Sequence, residues 1–306
     1  MNTIRLSTST WSQPATQGLL LGLLGVFIFA LSIPMTRLAS GSNAAPQLDP
    51  VFVALGRAAL AGALAALYLR LSGAPRPTRA QLQPLLLTAA GVVFGWPLFL
   101  GLAVRSVDAV HASVISGVLP LATATLGALM LRQRPSLGFW ACAIAGLALV
   151  LGFAWWRGSA GLQLADGLLL LAVFSASYGY VSGARLSQQM TPEQVISWVL
   201  VLSLPITVPV ALWTWPAQPV APSAWGGFLY VSVFSMWLGF FAWYRALALG
   251  GTVRVSQVQV IQPFLSMLLA VPVLGEHLDG MTVLFAAAVL LVVWLGKKMP
   301  VDAKVK

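Results

Sequence analysis

Arg57, in the run VALGRAALAG, is the residue least at home in its surroundings, for it lies inside an apolar stretch that opens near residue 50. About seven residues of helix carry a side chain roughly 10 Å into a bilayer, where a guanidinium needs water, an anion or a hydrogen-bond acceptor. Two roles fit. Arg57 faces an internal cavity and pairs with a substrate carboxylate, or it snorkels outward and caps helix carbonyls as a structural element. The run VHASVISGVLPLATATLGALML sets Ser113, Ser116, Pro120 and Thr123 on one helical face. The run VRVSQVQVIQPFLSMLLAVPVL repeats the pattern with Ser256, Gln259, Pro263 and Ser266, and Gln262 lies at the edge of that face. A mid-helix proline frees a carbonyl beside such a face. These groups line a substrate path and hydrogen-bond a zwitterion, or they serve interhelical packing, which also favours small and polar residues.

Aromatic residues near the middle of apolar segments include Phe94, Trp96, Tyr178, Tyr180, Trp237 and Tyr244. An aromatic wall suits apolar or aromatic amino acids and organic cations. His111 follows Asp108 by three residues, which suggests either proton coupling or a helix-start pair at the membrane boundary. The candidate substrate-binding set is therefore Arg57, Trp96, Ser116, Tyr178, Trp237, Gln259 and Gln262. The candidate gating and helix-break set is Pro34, Pro120, Pro263 and Glu276. No catalytic set emerges: the sequence has no phosphate-binding loop, nucleophile elbow or clustered acids. With one cysteine and two distant histidines it offers no metal-ligand cluster, and it implies no cofactor. No aspartate or glutamate falls deep inside an apolar segment, so proton antiport through a buried carboxylate finds no support.

The elements that must position these residues follow from composition. Of 306 residues, 59% are hydrophobic and only 8% are charged, with a mean hydropathy of +0.89. A soluble domain carries about 25% charge, which argues against a soluble enzyme. Apolar stretches of about 20 residues run over 18–38, 50–71, 81–103, 107–131, 137–155, 167–187, 192–213, 224–248, 253–275 and 280–297. Thr191-Pro192-Glu193 supplies an N-cap, a first-turn proline and a first-turn acid for the seventh. The net charge of +10 reports topology rather than nucleic-acid binding. With ten spans and a cytoplasmic N-terminus, only Arg37, Arg105 and Arg157 fall outside, and Arg57 lies within a span. Every other basic residue is then inside, which puts both termini in the cytoplasm.

A shift of 143 residues brings Val110, Ser113, Pro120, Leu126 and Leu131 onto Val253, Ser256, Pro263, Leu269 and Leu274. Two five-helix halves, 1–155 and 156–306, would enter the membrane from opposite sides, an arrangement suited to secondary transport. The segments VRVSQVQVIQPFLSMLLAVPVLGEHLDG and VHASVISGVLPLATATLGALMLRQRP resemble the drug/metabolite transporter superfamily, and within it the EamA-type ten-helix exporters. Gly275-Glu276-His277-Leu278 keeps the family pattern, whereas Arg132-Gln133-Arg134 departs from it in the first half. Arg57 is similar to an arginine frequent in the family's second helix. The resemblance covers about residues 18–297. It implies an all-α integral membrane protein of two inverted five-helix repeats that exports small metabolites such as amino acids by alternating access. A channel-like facilitator, or a multidrug or organic-cation exporter of the same fold, is the alternative. The expected partners are a small-molecule substrate and membrane lipid, not nucleic acid, in a monomer or homodimer of the inner (plasma) membrane.

Overall fold

A computed structural model describes residues 13–130, 134–157, 162–187, 189–250, 258–299 and 301–302. Eight helices are long and apolar enough to cross a membrane: α1 (Thr16–Ser40), α2 (Phe52–Leu71), α3 (Arg79–Ala103), α4 (Ala109–Met130), α5 (Leu137–Arg157), α6 (Leu164–Gly183), α7 (Pro192–Trp213) and α8 (Pro222–Trp243). Two shorter apolar helices follow, α9 (Val258–Leu274) and α10 (Gly280–Gly296). Each of the ten apolar stretches read from the sequence therefore holds a helix, with ends shifted by a few residues. Among the described residues the extended structure is a two-residue antiparallel pairing of Arg134-Pro135 with Val301-Asp302 and an isolated bridge between Gly41 and Pro46. We call the end of the bundle that bears the pairing the tail face, and the opposite end the far face.

The helices are apolar on every side, which suits lipid outside and packing within. Leu24, Phe27, Leu86, Ile144, Phe174, Leu284 and Leu291 are exposed on the outer surface, where a soluble protein would carry charge. Inside, α1 packs along α8, α2 along α7, α3 along α6 and α5 along α10, while α4 touches both α6 and α9, and α9 also meets α1. The crossing of α3 and α6 is close because two glycines meet there. A Cβ added at Gly91 would lie 2.4 Å from the Ser175 carbonyl oxygen and 2.6 Å from the Gly179 nitrogen.

Several helices are interrupted near mid-length. The first breaks at Leu31, one turn before Pro34. The fourth breaks at Gly117 and Val118, ahead of Pro120. The ninth opens as a short 3-10 turn, Val258–Ile261, before Pro263. Wider π-type turns occupy Phe52–Gly56, Ala90–Gly95 and Val231–Leu238. Pro97 accounts for the second of these, since it has no N–H to continue the α-helical ladder from the preceding turn. Such wide turns recur at functional positions in helices, and all three lie beside the central cavity.

Candidate functional site

Six helices contribute to one internal cavity at mid-bundle. Its wall holds Phe29 and Ser32 from α1, Arg57 from α2, and Val92 and Trp96 from α3. Ala176 and Tyr180 come from α6, Ser235, Met236 and Phe240 from the eighth helix, and Gln262 from α9. The space between these atoms is about 400 Å³, but a water-sized sphere can move its centre through only about 30 Å³ of it. That is room for a few waters at most, so the cavity is narrow. A second small space adjoins it through the shared Gln262 and is lined by Ser116, Pro120, Gln259, Pro263 and Ser266.

Arg57 is 2% exposed. Its Nη2 donates to Ser235 Oγ at 3.0 Å, and that hydroxyl lies 2.6 Å from Ser32 Oγ. Among the described residues its Nε and Nη1 have no partner, nor does Oε1 of Gln262. No carboxylate lines the cavity. A buried guanidinium with free N–H groups is costly, and the π-type turn of α2 ends at Gly56, directly before Arg57. Snorkelling, the structural alternative for this residue, does not describe a side chain so enclosed.

The other sequence-derived candidates divide. Arg57, Trp96 and Gln262 meet at the central cavity, while Ser116, Gln259, Pro120 and Pro263 meet at the adjoining one. The Ser116 hydroxyl donates to the Ala112 carbonyl at 2.7 Å. Tyr178 and Trp237 line neither space. Helix geometry turns Tyr178 about 200° from Tyr180, and it is Tyr180 that reaches the cavity. The Trp237 indole donates to Ser197 Oγ at 3.2 Å and packs edge-on against Tyr68 and Phe241. Phe29, Ser32, Ser235 and Phe240 were missed because nothing distinguishes them from core residues in the sequence alone. Arg254, Ser256 and the Tyr244 side chain lie outside the described residues.

The far face is closed by polar contacts across the chain. Glu276 caps α4 from 167 residues away: Ala109 N–H donates to its Oε1 and Val110 N–H to its Oε2, both at 2.8 Å. Burial raises the Glu276 carboxyl above its ordinary range, although those two amides pull the other way. Asp108, at the N-cap position, makes no side-chain cap bond. It pairs instead with Arg157 Nη2 at 3.2 Å, whose Nη1 donates to Asp279 at 2.6 Å. Burial works against ionisation of Asp279, yet hydrogen bonds from Thr282 and Arg157 hold it below the usual carboxylate range. Arg37 donates to the Val104 carbonyl. The His111–Asp108 pairing expected from their spacing does not form. His111 Nε2 lies 2.6 Å from Asp166 Oδ1, in a buried pair linking α4 to the first turn of α6.

The tail face is open. A vestibule of about 680 Å³ is lined by Leu21, Tyr68, Glu193, Gln194, Phe241 and Arg245, among others. Along α1 its lining begins at Leu21 and the central cavity's at Phe29, roughly 12 Å deeper at helical rise.

A bundle of apolar helices around a narrow cavity with polar groups in its wall suits the passage of a solute across a membrane. The family model described as the EamA-like transporter family matches twice, over residues 16–159 and 163–296. The chain belongs to the EamA-like transporter family. It is accordingly a multi-pass membrane transporter and not an enzyme. An "Uncharacterized transporter YdeK" of Bacillus subtilis (strain 168) is 41% identical over 280 residues, spanning 91% of this chain and 96% of that protein. A solved crystal structure at 17% identity superposes with a TM-score of 0.62 over 92% of this chain and 98% of its own, a likeness of fold alone.

Proposed function

We propose that this protein is a secondary transporter of the inner (plasma) membrane that exports small metabolites, amino acids and related carboxylates among them, by alternating access. The observation that carries the reading is the buried, incompletely paired Arg57 in a cavity latched toward the far face beneath an open vestibule. With basic residues concentrated at the tail face, the positive-inside rule makes that face cytoplasmic, and the conformation is then an inward-open one with the substrate space collapsed.

Alternating access asks for two halves that can exchange roles, and the helix packing supports an inverted repeat of 1–155 and 156–306. Replacing each helix by the one five places away turns the α1–α8 contact into α6–α3 and the α4–α6 contact into α9–α1. The α2–α7, α4–α9 and α5–α10 contacts return to themselves. The same 143-residue shift carries the π-type turn at Ala90–Gly95 onto residues 233–238, inside the turn at Val231–Leu238. It carries Pro120, with its preceding break, onto Pro263. Pro34, Pro120 and Pro263 are the flexure points in this mechanism, and Glu276 is part of the gate. An organic-cation exporter would need a carboxylate or bare aromatic cage, whereas Arg57 repels cations. The test is uptake into liposomes of a labelled panel of amino, hydroxy and oxo acids. Saturable flux with counterflow is expected for at least one class; flux that never saturates would point to a channel, and none at all would refute transport by this cavity.

A further inference from the structure

We infer that the central cavity takes a small carboxylate of net charge −1 with an apolar or aromatic body, and that the carrier moves it as a charged uniport driven outward by the membrane potential. The inference rests on the transporter reading above and adds the charge of the substrate and the source of the driving force. The free hydrogen-bonding groups of the wall are the N–H groups on Nε and Nη1 of Arg57 and the acceptor Oε1 of Gln262. Nη2 keeps a second N–H beyond the one given to Ser235, and with Nε or Nη1 on the edge they share it forms a two-donor pair that matches a carboxylate. A lone amide oxygen matches one donor on the ligand, such as a 2-hydroxyl. The remaining wall is Phe29, Val92, Trp96, Tyr180, Met236 and Phe240, which gives an apolar body its surroundings.

Charge decides between ligands that share this shape. Arg57 has no carboxylate beside it among the described residues, and of the seven acids six lie in loops or at helix ends and Asp302 in the short pairing at the tail face. A monoanion makes the closed site neutral. A zwitterionic amino acid leaves it at +1 and an organic cation at +2, and uncompensated charge in so buried a place is strongly disfavoured. Among the described residues the cavity wall holds no acid to take a proton in exchange, and on this inference the anion crosses alone. An inside-negative potential then drives it outward, by about tenfold in concentration for each 60 mV.

Four labelled probes with one aromatic body test this: phenyllactate and 3-phenylpropionate (−1), phenylalanine (0) and phenethylamine (+1). Purified protein is reconstituted in liposomes, a potassium diffusion potential is imposed with valinomycin, and flux in protein-free vesicles is subtracted. Saturable phenyllactate flux is expected, with accumulation changing about tenfold per 60 mV and an apparent affinity at least tenfold above that for phenylalanine. 3-Phenylpropionate binds more weakly than phenyllactate, and in Gln262→Leu the ratio of the two apparent affinities falls to about one. Phenyllactate flux indifferent to the imposed potential overturns the uniport. Flux of phenylalanine or phenethylamine without phenyllactate leaves the transporter reading standing and overturns the monoanion. No saturable flux from these four, in protein that carries another member of the broader panel, likewise overturns only this inference; failure of both panels overturns the two together.

Discussion

Truncating Glu276 isolates the far-face latch. The α4 helix begins at Ala109, and Ala109 and Val110 are 0% and 1% exposed, so their N–H groups depend on the two oxygens that Glu276 supplies at 2.8 Å. In Glu276→Ala the closed form leaves both buried donors unsatisfied, at about 1 kcal/mol or more each. The missing charge at the helix N-terminus adds about 0.3–1 kcal/mol. An open form, with these amides in water, escapes the penalty. The closed-to-open ratio should fall by about 2–3 kcal/mol, roughly 30- to 150-fold. Glu276→Gln keeps one acceptor and sheds the burial cost that raises the carboxyl's pKa, so it should stay within about fivefold of the parent. The assay is modification of Ser116→Cys by a maleimide in a Cys142→Ser background, since Ser116 is 7% exposed and lines the adjoining space. Rates rise in proportion to the open fraction. Equal rates in Glu276→Ala and the parent, with melting temperatures unchanged, would show that the cap does not hold the far face.

Arg57→Gln should reduce carboxylate transport at least 100-fold and at the same time stabilise the protein by about 1 kcal/mol or more, because it removes an incompletely paired buried charge; a lowered melting temperature would make Arg57 a structural element. Asp166→Ala strands His111 in a buried site and should cost about 2–4 kcal/mol in thermal or denaturant unfolding, whereas Asp108→Ala, which leaves that pair intact, should cost under about 1 kcal/mol. Gly91→Ala drives a methyl against the α6 backbone and should abolish the folded monodisperse peak in size-exclusion chromatography. The latch should also respond to pH: the closed form holds the Glu276 proton more tightly than an open form at the ordinary value of 4.5, so closure strengthens as pH falls from the raised value toward 4.5. The Asp279 contribution has the opposite sign: it is complete above 3.8 and lost below. Cysteine modification normalised to a free thiol across pH 4–8, absent its slope in Glu276→Gln, checks the Glu276 part.

The helices were legible because the bilayer requirement of long apolar runs writes directly into sequence. Arg57 was legible for the same reason: a charge stands out where few occur. The wall around it was not. Phe29 and Phe240 pack edge to face with centroids 5.1 Å apart, but they are two phenylalanines among fourteen, and only the crossing of α1 with α8 brings them together. Choosing between Tyr178 and Tyr180 required the helix's rotation, which a helix apolar on all sides does not announce. The same held for His111. Its neighbour in sequence, Asp108, is drawn off by Arg157, and its true partner, Asp166, comes from an element 55 residues on.

The two sides of the cavity differ in chemistry, and the difference gives a substrate anion its leverage. The far face is held by an ion-pair network and a cap whose groups water can replace, so opening it costs little more than the contacts themselves. The wall of the central cavity itself carries an apolar edge-to-face pair, Phe29 and Phe240. In the proposed cycle, closure around an empty site must again enclose Arg57 with free N–H groups, which makes the unloaded return the slow step of the uniport. A carboxylate on Arg57 removes that barrier, and an uncharged analogue of equal shape does not. Ligand can shift such an equilibrium only through its different affinity for the two forms. Here that difference is the guanidinium's pairing, available in the closed form and replaced by water in the open ones. Occupancy and closure are thereby coupled through a single residue, and the same residue that selects the charge of the substrate sets when the carrier can turn over.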